Sequence, residues 1–169
     1  AMRVYIAGEF SGVIRDAFIR RGHDALSCDL LPSEKPGPHY QGDWFDRIDD
    51  GWDMIIAHPV CTRLCNSGVR WLNERDLWKE MEEAALTFKK FLDCKIPKKC
   101  VENPIPHKYA MQIIGRKYDQ IIQPHMFGHP ETKATCLWLE NLKKLNPTNI
   151  VSGRDHRIHR MSPGPNRWR

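Results

Sequence analysis

An α/β fold, built as a doubly wound, mainly parallel sheet with helices on both faces, is what the sequence predicts, and three observations predict it. Short apolar runs of strand content recur along the chain, at residues 2–8, 24–30, 53–57, 98–101 and 136–139. Between them lie segments whose apolar residues return three and four apart, the spacing of one helix face. Polar loops containing Gly or Pro follow the strands, which is where open α/β sheets bind ligands. Alternation of this kind makes a Rossmann-like sheet.

The first strand, residues 2–8, carries Val4, Tyr5 and Ile6 and runs into Gly8-Glu9-Phe10-Ser11-Gly12. A helix over 13–21 follows, with Ile14, Ala17 and Phe18 on one face and Gly22 as its stop. Gly8 and Gly12 let backbone approach a ligand closely at the start of that helix, although two glycines fall short of a full dinucleotide fingerprint. The second strand, 24–30, ends in Cys28-Asp29, and an acid at that point is where such sheets hold ribose hydroxyls. A Pro-rich loop spans 32–38, and a short third element spans 40–43. In Asp43-Trp44-Phe45-Asp46 a carboxylate stands beside two aromatics. Asp43 reads equally as an acceptor for the exocyclic amine of a purine and as a helix cap.

Residues 53–57, with Ile55 and Ile56, form a strand buried on both faces, and the run stops at Pro59. Cys61 stands just beyond, in a polar loop that reaches Gly68. It reads either as a small buried residue or as a nucleophile whose thiol is activated by Arg63 or by loop amides. Residues 73–94 are the longest helical segment, with Leu77, Met81, Ala84, Ala85, Phe88 and Leu92 as a core stripe. A fifth strand, 98–101, leads into Glu102-Asn103-Pro104, and Pro104 with Pro106 forces an extended exit. A helix over 107–116, a strand over 119–124, a polar loop over 128–135 and a strand over 136–139 complete the series.

With 169 residues, 41% hydrophobic and 28% charged, the chain suits one globular domain over 1–145 followed by a basic tail over 146–169. No apolar run approaches a membrane span, and the first residues enter a strand pattern directly, so neither a membrane segment nor a signal peptide is expected. Six cysteines without framework spacing point to free thiols in the cytoplasm. His58, Cys61 and Cys65 lack an accompanying CxxC or HxxxH pair, and no metal site is expected. The net charge is +5, and from Lys143 onward the basic residues include Arg154, Arg157, Arg160, Arg167 and Arg169 against Asp155 alone. Such a tail is either a grip on nucleic-acid phosphates or a solvated terminus.

Taken in order, Phe10-Ser11-Gly12, Asp29, Asp43, Pro59-Val60-Cys61 and Glu102-Asn103 resemble the catalytic domain of the DNA cytosine-5 methyltransferases, in a small, phage-like version lacking a target recognition domain. The resemblance covers residues 3–139. It implies that Gly8, Phe10, Ser11, Gly12, Asp29, Asp43 and Pro59 hold S-adenosyl-L-methionine, that Cys61 is the nucleophile and that Glu102 stabilises the target base. Asn103, Arg63 and Lys133 would face substrate; Arg63 also reads as a contact to the cofactor carboxylate or as a solvated charge. The chain departs from the family at Val60, where a second proline is usual, at Pro104, where a valine is usual, and at Glu131-Thr132-Lys133-Ala134-Thr135, where the family has Gln-x-Arg-x-Arg. The implied activity is methylation of cytosine carbon 5 in DNA, with a second copy or a partner protein supplying target recognition. Two alternatives stand beside it: methylation of RNA or a free cytidine nucleotide, and an inactive relative that only binds nucleic acid or inhibits a host enzyme.

Overall fold

The computed structural model of the chain describes residues 1–65, 68–123 and 134–145. The twelve elements among them alternate as the sequence predicts. They are β1 (Arg3–Ala7), α1 (Val13–Arg20), β2 (Asp24–Asp29), β3 (His39–Gln41), β4 (Met54–Ala57), α2 (Trp71–Glu74), α3 (Trp78–Asp93), β5 (Lys98–Pro104), α4 (Lys108–Ile114), β6 (Gln120–Ile122) and β7 (Thr135–Glu140), with a 3-10 turn at Trp44–Asp46. The proposed tail over 146–169 lies outside the described residues.

The strands form one seven-stranded sheet in the order β3-β2-β1-β4-β5-β7-β6. From β3 to β5 every pairing is parallel, and β7 runs antiparallel to both β5 and β6. The order turns back at β1, which pairs with β2 on one side and β4 on the other. Loops leaving the carboxyl ends of β1 and β4 therefore open onto a shared crevice, the ligand position of doubly wound sheets.

Alternation along the strands sends side chains to two cores. Tyr5, Ala7, Ile55, Ala57, Val101 and Trp138 face α3 and α4 and pack with Met81, Ala85, Phe88, Phe91, Ala110 and Ile114. Val4, Ile6, Ala25 and Met54 face the other way and pack against Ile14 and Phe18 of α1. Helices thus cover both faces. Phe88 meets the Trp138 ring edge-on at 4.7 Å, tying α3 to the reversed strand.

α1 begins at Gly12, whose φ of 78° is the left-handed conformation. Its first amides are capped from further back: the buried Glu9 carboxylate accepts from Ile14 N and Arg15 N, each at 3.0 Å. Arg15, on the first turn, is 0% exposed. Its guanidinium donates to Ser27 Oγ, Ser33 Oγ, Asp16 Oδ1 and the carbonyls of Lys35, Pro36 and Pro38. The Pro-rich loop after β2 is therefore wrapped around a buried cation.

Three details differ from the sequence expectation. The helix expected over 73–94 is two helices, broken at Asp76, whose φ is 51°. Leu72 is buried and Leu77 packs on the same core, yet residues five apart fall about 140° apart on one continuous helix. The left-handed residue resets the phase, and Trp78 Nε1 donates to Asn73 Oδ1 at 2.7 Å across the break. β5 continues through Pro104, because β7 pairs with it as far as Pro104 opposite Thr135. The third strand is His39–Gln41, where the sequence predicts 40–43, in parallel register with Ser27–Asp29.

Candidate active site

At the carboxyl edge of β1, β4 and β5 a cleft of about 440 Å³ is lined by three segments. Gly8, Glu9, Phe10 and Ser11 come from the β1–α1 turn with Val13 and Ile14 at the start of α1, His58, Pro59 and Cys61 from the loop after β4, and Glu102 and Pro104 from the end of β5. Parallel pairing of β1 with β4 and of β4 with β5 brings the three together. The sulfur at 61 and the carboxyl at 102 thus share one cleft with the glycine turn.

The turn and the loop touch backbone to backbone. His58 N donates to Ala7 O at 2.8 Å, and Gly8, at φ 86°, leaves no room for a side chain. The loop carrying Cys61 is stitched down on its far side. Leu64 N and Cys65 N donate to Cys61 O at 2.9 and 3.2 Å. Cys65 bridges to Pro106, and His107 N donates to Leu64 O at 2.8 Å. The buried His107 ring accepts from Ala110 N at Nδ1 (3.1 Å), so its proton sits on Nε2, which donates to Arg63 O at 2.8 Å. One histidine caps α4 and fixes the loop.

Within the cleft, His58 Nδ1 lies 3.2 Å from Glu102 Oε1. Ala57 and Val101 are register partners, so residues 58 and 102 follow side by side off adjacent strands. Burial alternates along β5, placing Glu102 with Cys100 on one face and Asn103 on the other. All six cysteines are free thiols. Burial, with Glu102 adding, pushes the Cys100 thiol up to about 12, and burial alone pushes Cys136 up to about 11. Burial also raises Cys28 and Cys94. Those four are inert thiols at neutral pH, whereas Cys61 is partly exposed on the cleft.

Of the residues singled out in the sequence, Gly8, Phe10, Ser11, Pro59, Cys61 and Glu102 line this cleft. Gly12 sits behind it as the α1 cap, where a side chain would strike the Arg15 guanidinium at 2.6 Å. Asp29 ends β2, with Oδ1 accepting from Leu31 N at 2.9 Å. Asp43 caps the 3-10 turn, accepting from Phe45 N at 2.8 Å, and lines a second cavity of about 320 Å³ with Leu30, Trp44, Phe45, Thr87 and Lys90. Trp44 Nε1, buried in that wall, has no hydrogen-bond partner among the described residues. Asn103 is buried behind the loop, where its Oδ1 accepts from Cys65 Sγ at 3.6 Å. Arg63 pairs with Glu80 of α3 at 3.1 Å. Lys133 lies outside the described residues.

Sequence reasoning missed Glu9 and His107, and weighed His58 only as a metal ligand. The signal for His107 was its place just before a helix start, where a short polar side chain can cap. Glu9 and His58 carried no local signal, since each acts on a segment that only the fold brings near.

Among the described residues, no helix is long and apolar enough to cross a membrane. No protein-family model matches the chain, and no curated protein matches it. Solved structures do. A protein from E. coli described as a DNA modification methyltransferase encoded within a prophage superposes with a TM-score of 0.50 at 15% identity, covering 96% of this chain and 56% of its own. A methyltransferase from Entamoeba histolytica superposes with a TM-score of 0.55 at 13% identity, covering 98% of this chain and 61% of its own. The chain spans less than two thirds of either neighbour, and at these identities what the two share with it is the fold: the mixed, mostly parallel seven-stranded α/β sheet described above.

Proposed function

We propose that the chain transfers a methyl group from S-adenosyl-L-methionine to carbon 5 of cytosine in DNA, through a covalent adduct on Cys61. The observation that carries this reading is the shared cleft, in which Cys61 and Glu102 stand with the Gly8–Ser11 turn. Cytosine carbon 5 is a poor nucleophile. A thiolate adding to carbon 6 pushes electron density onto carbon 5, and a proton donor at ring nitrogen 3 stabilises the charge that builds up there. Cys61 is the thiolate and Glu102 the donor.

The cleft suits a cationic methyl donor. Glu9 already fills the amides at the start of α1, where a dinucleotide pyrophosphate would otherwise sit, and Glu102 adds a second carboxylate to the same lining. Such a lining repels phosphate and favours a sulfonium with its ammonium. When bound, S-adenosylmethionine supplies an electrophilic methyl group. Gly8, Phe10, Ser11 and Pro59 form its bed, with Gly12 fixing the turn, Asp29 at the ribose and Asp43 at the adenine amine. Leu30, Trp44 and Phe45 beside Asp43 are apolar enough for a purine, and the buried Trp44 N–H is a donor for a ring nitrogen.

In duplex DNA the target base leaves the stack to reach the cleft. Arg63, Asn103 and Lys133 support the substrate side, and the basic tail grips phosphates. In this reading a second copy or a partner protein supplies target selection. Its compartment is the cytoplasm, that of the host if the protein is phage-borne.

The test is transfer of a labelled methyl group to duplex DNA, RNA and dCMP in parallel, with calorimetry against S-adenosylhomocysteine. Label in DNA as 5-methylcytosine is expected. Label in RNA or dCMP alone would reassign the substrate, and no label with no cofactor binding would leave an inactive relative.

A further inference from the structure

An ordinary glutamic acid, with a pKa of about 4.3, keeps its proton under about one per cent of the time at pH 7. An imidazole, at about 6.5, keeps one far more often. Resting on the methyl-transfer reading, we propose that His58 is a positioning residue for Glu102: the two share one proton, and the pair hands it to ring nitrogen 3 of the bound cytosine.

The geometry is specific. His58 Nδ1 and Glu102 Oε1 are 3.2 Å apart, and both residues line the cleft with Cys61. Neither side chain is placed by chance. The Ala57–Val101 register sets the two positions side by side, His58 N is bonded to Ala7 O, and the His58 carbonyl is packed on Gly8. Among the described residues, the charged and titratable groups placed around the pair come from three segments. From the β1–α1 turn there is Glu9, whose two oxygens are spent on the amides of α1. From the loop after β4 there is Cys61. Along β5 on the same face there is Cys100, held as a thiol by burial. Across the sheet, Glu102 is opposite the apolar Leu137 of β7. Neither an arginine nor a lysine lines the cleft among the described residues, so on that lining the imidazole is the group able to carry positive charge beside Glu102.

The proton count closes. In the resting pair one proton lies between Nδ1 and Oε1. As the Cys61 sulfur bonds to carbon 6, the carbon 5–carbon 6 π pair moves toward carbon 5 and nitrogen 3 becomes basic. Nitrogen 3 takes that one shared proton through Glu102, which leaves a carboxylate beside a neutral imidazole. Once carbon 5 carries the methyl group, its proton leaves to water, the electron pair of that bond re-forms the carbon 5–carbon 6 double bond, the Cys61 sulfur leaves as a thiolate, and nitrogen 3 returns its proton to the pair. The pair ends as it began.

Two measurements on the full chain test this. The His58 imidazole is titrated by NMR in the wild type and in Glu102→Gln. Loss of the carboxylate should lower its midpoint by about one pH unit, and an unchanged midpoint would overturn the sharing. The rate–pH profile of methyl transfer is then compared with His58→Gln, which keeps a hydrogen-bond donor but carries no titrating proton. At neutral pH the rate should fall about a hundredfold, and the alkaline limb should move acidward by more than about one unit. S-adenosylhomocysteine affinity should stay the same, and added imidazole should restore part of the rate to His58→Ala. A glutamine variant with the wild-type profile would make the contact merely structural and overturn the proposal. A wild type that transfers no methyl group sinks the methyl-transfer reading and the delivery step with it, while the NMR comparison still decides whether a proton is shared.

Discussion

A Cβ built on Gly8 would lie 2.5 Å from the carbonyl oxygen of His58, a distance that real Cβ atoms essentially never show. The β1–α1 turn and the loop bearing Cys61 are thus pressed together through bare backbone. Gly8→Ala has to push them apart and also hold alanine at a φ of 86°. Strain and overpacking together should cost about 2–4 kcal/mol in urea unfolding. A loss below about 0.5 kcal/mol would mean that the two segments are not held in contact.

Cysteine reactivity offers a second check that needs no substrate. At pH 8, Cys100 and Cys136 remain thiols, with values pushed up to about 12 and about 11, and Cys28 and Cys94 are also raised by burial. Iodoacetamide followed by peptide mass spectrometry should label Cys61 ahead of all four. Preferential labelling of Cys100 would contradict the burial argument. Cys61→Ser should also abolish methyl transfer while leaving S-adenosylhomocysteine affinity within about twofold.

Arg15 is the internal support of the loop beside Asp29. Arg15→Met removes the guanidinium that donates to Ser27 Oγ, Ser33 Oγ and the carbonyls of Lys35, Pro36 and Pro38, leaving Ser27 Oγ with Pro38 O and His39 Nδ1 and Ser33 Oγ with Lys35 O. Unfolding free energy should drop by about 3 kcal/mol or more, and hydrogen exchange should speed up across residues 33–38 first. Uniform exchange would mean that the loop is held by something else.

Asp29→Ala separates binding from folding. The side chain's hydrogen bond to Leu31 N is a local one, so stability should change by no more than about 1 kcal/mol. Cofactor affinity should weaken about tenfold by calorimetry, and an unchanged affinity would refute the ribose assignment.

Truncation after Leu145 removes Arg154, Arg157, Arg160, Arg167 and Arg169. If these residues neutralise phosphates, the slope of log affinity against log salt for duplex DNA should flatten by about one unit for each phosphate the shortened chain no longer neutralises. An equal slope would assign the tail to solvent.

The parallel half of the sheet was legible because β1, β2 and β4 are apolar runs closed by Gly, Asp or Pro, a local pattern. The direction of β7 was not, since Cys136-Leu137-Trp138 reads alike in either sense and only pairing with Val101 and Asn103 fixes it. Apolar periodicity was equally blind to Asp76, where one left-handed residue divides a helix. Cys61 and Glu102 could be singled out by their order along the chain after successive strands. Their neighbours could not: the His58 contact depends on register between β4 and β5, and the Glu9 contact on how the turn folds back over α1. Asp43 carried two readings from the start, and the cap is the one seen in its hydrogen bonding, alongside a wall position in the second cavity.

The place of β7 inside the sheet bears on how the molecule is made on the ribosome. Residues 98–104 emerge early and find β4 on one flank, yet their other flank stays bare until residues 135–140 leave the exit tunnel. β6 emerges sooner than β7 but has its sheet pairing with β7, so it waits as well. A nascent chain stalled before residue 135 would therefore expose an open strand edge next to Glu102, a sticky surface that the last strand closes.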